Sequence, residues 1–124
     1  MAEEYECQWA DHNKHLTEKL QGFFTNHHFC DVTLVCDGDK QIEVHKVILA
    51  ACSLSFRKMF QPDVASPIVF LCDVASDTME SLIRFMYCGY TTIPGDRVPE
   101  FFKLAEHLQV FYIVSHLMYQ DFLF

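Results

Sequence analysis

The chain has 124 residues, 51% of them hydrophobic and 15% aromatic, and its 17 acidic against 9 basic residues give a formal net charge of -8. One domain of this size buries somewhat under roughly 70% of its unfolded surface, so a true core is within reach. Twelve Phe, five Tyr and one Trp are more than so small a domain easily hides, and part of that surface is expected in a subunit interface. With no basic run longer than Arg57-Lys58, the acidic balance argues against the phosphate neutralisation that direct nucleic-acid binding requires.

Residues 1 to 4 read as a solvated tail, and the acidic start Met1-Ala2-Glu3-Glu4 is not the basic n-region of a signal peptide. Tyr5 to Trp9 alternate as a short strand does, and a single short strand needs a sheet edge, in its own chain or another, to pair with. From Asp11, a plausible cap, the spacing predicts a helix with Leu16, Leu20, Phe23 and Phe24 at i, i+4, i+7 and i+8 and with Lys14, Thr17, Glu18 and Gln21 opposite. For a helix in isolation that stripe packs on its own core; the apolar excess of the chain opens a second use for it.

Asp31 to Cys36 and Gln41 to Val44 alternate well enough for two half-buried strands joined by a turn at Asp37-Gly38-Asp39. After His45 the period becomes helical through Val47, Ile48, Ala51 and Cys52, then Phe56, Met59 and Phe60, and it is interrupted only at Ser53, whose hydroxyl can cap a second short helix. Gln61-Pro62-Asp63 breaks that helix, and Pro67 to Leu71 is a short apolar strand. Asp77-Thr78-Met79-Glu80 has the form of a capping box, leading a helix with Met79, Leu82, Ile83 and Met86 on one face and Gly89 at its end. Thr91-Thr92-Ile93 is expected as a further strand before the Pro94-Gly95 turn. Pro99 fits the first turn of another helix, with Phe101, Phe102, Leu104, Ala105 and Leu108 as its apolar positions, and Val110 to Phe124 reads as a last helix. There is no internal repeat, low-complexity segment or linker, so the chain is one unit.

Six cysteines and seven histidines invite a test for metal, yet there is no C-x-x-C pair, and Cys7 with His12 and His15 matches no usual zinc spacing. Most cysteines sit inside apolar strand or helix patterns, where a free thiol behaves as a small hydrophobe, which points to a reducing compartment. Cys52 follows His45 by seven residues but falls in an apolar stripe, so it reads as buried and inert. No G-x-S-x-G, phosphate-cradling loop or H-E-x-x-H is present, and the longest apolar run, Val110 to Val114, is far below the roughly 20 residues that span a bilayer. No catalytic residue, cofactor, metal or membrane segment is expected. Asp31 and the His45-Lys46 pair are different: if the hairpin closes, these charges meet at one region of the sheet, either as ordinary capping charges or as the lining of a groove.

Those residues also carry a family resemblance. Asp31-Val32-Thr33-Leu34, the run Val44 to Ser53 with Phe56, then Phe85-Met86-Tyr87, Gly89-Tyr90 and Leu104 to Leu108 resemble the BTB/POZ domain in the right order over nearly the whole chain. Cys7-Gln8-Trp9-Ala10-Asp11-His12, followed by Leu16, resembles the N-terminal extension of the Tramtrack group of insect BTB zinc-finger transcription factors, with Gln8 and Ala10 where that group usually has Arg and Asn. The resemblance implies an α+β fold, a small mixed sheet flanked by short helices. It divides residues 1-124 into a tail (1-4), an N-terminal dimerisation strand and helix (5-26) and a core (29-124). It implies a dimer interface at Trp9, Leu16, Leu20, Phe23 and Phe24, and a charged pocket at Asp31, His45 and Lys46. The implied role is homodimerisation, with assembly into larger oligomers as in the Tramtrack group, of a nuclear transcription or chromatin regulator whose DNA is bound elsewhere. Other BTB proteins or transcriptional cofactors are the further partners, and the alternative is a substrate adaptor of a cullin ubiquitin ligase.

Overall fold

A computed structural model describes residues 2–61 and 64–110. The Pro62-Asp63 break and, beyond Val110, the expected last helix lie outside the described residues.

The hairpin forms as the alternation requires. Strands β1 (Val32–Cys36) and β2 (Lys40–Val44) pair antiparallel, with Leu34 opposite Ile42 and Val32 opposite Val44. The turn between them is a short 3-10 segment, Asp37–Asp39, in which Gly38 has φ 75. Strand β3 (Ile68–Phe70) lies parallel to β1 on its other side, so the sheet order is β2-β1-β3 with β1 central.

Two short helices follow the hairpin, α2 (Lys46–Cys52) and α3 (Leu54–Met59), hinged at Ser53, whose hydroxyl accepts the Phe56 N–H at 3.1 Å. Helix α4 (Ser76–Cys88) is the centre of the helical layer. It packs against α1 (His12–Thr25), α2 and α5 (Val98–His107). The predicted face of α4 is the buried one: Met79, Leu82 and Ile83 are solvent-free and join Leu34, Val44, Leu49, Phe56 and Phe101 in a single core. Gly89 closes α4 in the left-handed region at φ 71, and Pro99 stands in the first turn of α5.

Two capping expectations fail for physical reasons. Asp77-Thr78-Met79-Glu80 does not act as a capping box, because α4 starts two residues earlier, at Ser76, with Ala75 at its cap. The Asp77 carboxylate instead accepts the Thr78 N–H at 2.9 Å and meets Arg97 at 3.4 Å, while Arg97 also reaches Glu100 at 2.8 Å and so ties the starts of α4 and α5 together. Asp11 does precede α1, but its side chain makes no cap; its carbonyl accepts the His15 N–H at 2.8 Å. Among the described residues Thr91 to Ile93 forms no strand, and Tyr5 to Trp9 pairs with no edge of its own chain, the other arm of its expectation being an edge on another chain. Both have strand-like sequences without a partner edge among the described residues, and pairing, not propensity, makes a strand.

Leu34→Ala, at a solvent-free position of the central strand, is expected to lower stability by about 2–5 kcal/mol. Gly89→Ala, which forces a side chain into the left-handed region, is expected to cost about 1–2 kcal/mol. Urea denaturation of the two variants against the parent chain measures both.

Candidate functional site

Two regions hold the residues singled out from sequence. The first is α1 and the segment before it. No residue of α1 is fully buried. Its stripe is divided: Leu20 and Phe24 turn onto the core, Phe24 stacking on Tyr87 with ring centres 4.8 Å apart, whereas Leu16 remains 48% exposed. Trp9, 59% exposed, packs its indole against the rings of His12 and His15 at 5.1 and 5.0 Å. Phe23 is half-buried and meets the exposed Phe29 edge-on at 5.1 Å. Trp9, Leu16, Phe23 and Phe29 thus leave apolar surface uncovered around the helix that Leu20 and Phe24 anchor.

The second region is the junction between β2 and α2. Asp31, just before β1, accepts the backbone N–H of Lys46 on its Oδ1 at 2.7 Å, and its own N–H donates to the Val44 carbonyl at 3.1 Å. A carboxylate 15 positions earlier in the chain therefore satisfies the first N–H of α2, which the cap residue His45 leaves without a side-chain acceptor. Lys46 carries its ammonium away from Asp31, to the Val64 carbonyl at 2.9 Å.

His45 points inward and is only 7% exposed. Its Nε2 lies 2.7 Å from the His28 carbonyl, its Nδ1 bonds to the Tyr87 hydroxyl, and its backbone N–H donates to that same hydroxyl at 3.0 Å. A carbonyl can only accept, so in the neutral ring Nε2 carries the proton and Nδ1 receives the one from Tyr87. Burial pushes the Tyr87 phenol well above its ordinary range, against the smaller opposing effect of the His45 backbone N–H, and it keeps its proton for that bond. The Asp31 carboxylate meets the backbone of Lys46, and the Lys46 ammonium bonds to the Val64 carbonyl. His45 is committed to this internal network, and Asp31 to the start of a helix.

The two thiols near this junction, Cys30 and Cys52, are held toward the neutral form. Burial raises Cys52, which donates to the Met86 carbonyl at 3.7 Å, and burial followed by the Glu43 and Asp31 charges raises Cys30, although its sulfur lies 3.8 Å from His45 Nε2. Among the described residues no cluster of three metal-ligating side chains occurs, and no helix is long and apolar enough to cross a membrane.

The BTB/POZ domain model matches residues 20–120. The chain belongs to the BTB/POZ domain family. The solved BTB domain of zebrafish PATZ1 superposes with a TM-score of 0.81 at 23% identity, covering 90% of this chain and 92% of that one. The Drosophila melanogaster sex determination protein fruitless is 38% identical over 111 residues, and the alpha isoform of protein tramtrack 34% over 113; each match covers 89% of this chain. These stretches are 12% and 14% of those relatives, whereas longitudinals lacking protein-like, 28% identical, is matched over 85% of its length. The likeness to Tramtrack-group sequences that Cys7 to Leu16 suggested is thus met by tramtrack itself. A BTB/POZ domain is a protein-interaction module, and the α+β architecture with its small mixed sheet is the one the resemblance implied.

Sequence reading missed Tyr87 and His28 as partners of His45. Nothing local marks a hydroxyl 42 residues away, although a Tyr on the apolar side of a helix always needs a partner for its O–H.

Tyr87→Phe removes the group that serves two His45 atoms and is expected to cost about 1–3 kcal/mol, with the fold retained by circular dichroism. Asp31→Ala, which strips the acceptor from α2, is expected to cost about 1 kcal/mol, and Asp31→Asn less. On brief alkylation at neutral pH, the exposed Cys7 and Cys72 are expected to react first, with Cys30, Cys36, Cys52 and Cys88 lagging; mass spectrometry of the labelled peptides reads the order.

Proposed function

We propose that this BTB/POZ domain homodimerises a transcription or chromatin regulator in the nucleus, with the face built by Trp9, Leu16 and Phe23 as the contact and Leu20 and Phe24 holding that face on the core. The observation that carries the proposal is a 14-residue helix with no fully buried residue in its own chain beside large exposed side chains at Tyr5, Trp9, Leu16 and Phe29. Apolar surface gathered in this way is the mark of an interaction site. A two-fold contact would use the same patch on both copies.

The unpaired Tyr5 to Trp9 segment supports the same reading, since an alternating segment without an edge in its own protomer can find one on a partner. The regulatory role rests on relatives such as fruitless, abrupt and tramtrack, of which this chain spans a small fraction. In that setting the domain links two polypeptides and raises the effective concentration of whatever their other parts bind. Other BTB proteins and transcriptional cofactors are its further partners. The cullin-adaptor reading gains nothing from these relatives.

Leu16→Asp is expected to leave the protomer folded, because Leu16 is half-exposed, and to weaken self-association by about 2 kcal/mol or more, roughly 30-fold in Kd. Leu20→Asp and Phe24→Asp place a charge against the core and are expected to lower the melting temperature as well. Sedimentation with parallel thermal melts separates the two effects; a monomeric parent chain at micromolar concentration would end the proposal.

A further inference from the structure

The uncovered stripe of α1 has a titratable group in it. His12, Leu16 and Phe23 stand at i, i+4 and i+11 and so share one line along the helix, and Lys19, at i+7, lies on that line too. His15 follows His12 by one turn, toward the flank. His12, His15 and Lys19 are all exposed in the single chain. The rings of both histidines rest on the Trp9 indole, with planes tilted by 48° and 47° to it, so the indole and two imidazoles form one aromatic surface beside Leu16.

The charges around that surface do little to hold a cation on it. On α1, Lys14 and Glu18 stand on the other side of the helix and its flank, and Asp11 adjoins His12 in sequence, a spacing at which side chains do not face each other. Glu18, three residues after His15, can pair with that ring when it is charged. The positions three and four beyond His12 hold His15 and Leu16 instead, and the stripe's own charge is the cation of Lys19. In the segment before the helix are Glu3, which accepts from the Tyr5 hydroxyl at 2.8 Å, Glu4 and Glu6. The His28 ring borders Phe23 at the other end of the stripe, 6.5 Å between centres. Helix α4 meets the inner side of α1, where Tyr87 stacks on Phe24, about a third of a turn round from His12.

We infer that the α1 contact is proton-sensitive: the dimer holds His12 and His15 as neutral rings against Trp9, and it weakens as pH falls through the range in which histidine takes up a proton. The inference rests on the dimer proposed above. A neutral imidazole lying on an indole is surface that a contact can bury together with Leu16 and Phe23, whereas an imidazolium must first shed its water. A two-fold contact uses the same patch on both copies, so it gathers four such rings and two copies of Lys19. The attraction of an imidazolium for the indole face is present in the free protomer as well as in the dimer, and it largely cancels from association. Protons therefore bind the free protomer better than the dimer. Association releases them, is strongest above the histidine range of about pH 5 to 8 and is lost as pH falls through it. The bulk charge works in the opposite sense: at a formal -8, acidification lowers the repulsion between copies, so weakening in acid is the signature of the rings.

The test is sedimentation over a concentration series at about pH 8 and about pH 6, both above the sequence pI of about 5.2, with circular dichroism confirming the fold at each. The dimer Kd of the parent is expected to rise about tenfold or more on going to the lower pH. His12→Phe with His15→Phe keeps a ring at both positions and removes both protons, and its Kd is expected to change no more than about threefold. A parent dimer with the same Kd at both values, or a tighter one in acid, overturns the inference and leaves the dimer standing. A parent that runs as a single 14.5 kDa protomer at about pH 8 ends the dimer reading and the inference with it. A Phe variant that keeps the parent's pH dependence overturns it by assigning the effect to other groups. A folded Phe variant that associates at neither pH overturns it as well, since uncharged rings at the contact are what it requires. If the Phe pair disturbs the fold, His12→Gln with His15→Gln removes the same protons and is expected to flatten the pH dependence equally. The chain's one Trp gives a second readout, because an imidazolium in contact with an indole quenches its emission. In dilute, folded protomer, Trp9 emission is expected to fall on acidification in the parent and to stay level in the Phe variant; emission indifferent to pH in the parent overturns the ring contact on which the inference stands.

Discussion

The junction between the hairpin and the first helix pair depends on one buried hydroxyl. Tyr87 receives a backbone proton from His45 and returns its own to the ring of the same residue, while the far side of that ring is held by His28. Three parts of the chain are fixed by it: the loop after α1, the exit of β2, and the last turn of α4. A polar cluster so deep is stabilising only when every member is satisfied, and here the tautomer that satisfies the ring also satisfies the phenol. The Asp31 carboxylate completes the junction by supplying the acceptor that α2 lacks. Without these contacts nothing would set the angle at which the hairpin hands the chain to its helices.

The same junction turns the charged groups and thiols around it toward internal contacts. A general base must offer a free lone pair to a substrate, and the lone pair of His45 is already occupied by a proton donor. A nucleophilic sulfur needs its anion favoured, and the surroundings of Cys30 and Cys52 favour the neutral thiol. Among the described residues, apolar side chains stand exposed around α1 and at Ile68 and Phe70 of β3. Both suit macromolecular contacts better than a small ligand.

Elements stabilised by their own sequence were legible in it. The hairpin, the α2 and α3 pair with its serine cap, the buried face of α4 and the proline start of α5 each rest on contacts within a few residues, and periodicity reports those contacts directly. Elements that need a distant partner were not. Tyr5 to Trp9 and Thr91 to Ile93 have strand sequences, but a strand is a relation between two segments, and no second segment pairs with them among the described residues. The capping-box motif at Asp77 falls inside a helix that starts at Ser76, and its carboxylate meets Arg97 from the turn before another helix. The stripe of α1 was legible as apolar yet not as divided, because only the packing of Phe24 on Tyr87 decides which side faces inward. Asp31 and Lys46 were seen to converge, and their roles emerged only once the hydrogen bonds were assigned.

Ser53 has a consequence for the order in which the domain comes together. Its hydroxyl accepts from Phe56 within one turn, but the proton of that hydroxyl goes to the carbonyl of Leu108, and the neighbouring Leu54 N–H goes to Gln109 at 3.4 Å. On a ribosome, the serine and its helix emerge long before those acceptors do. Until the last described helix has been synthesised, a group that ends up solvent-free must stay in water, so the helix pair cannot settle into its final packing. Closure of the domain is therefore a late event in its biosynthesis, set by contacts of high sequence separation.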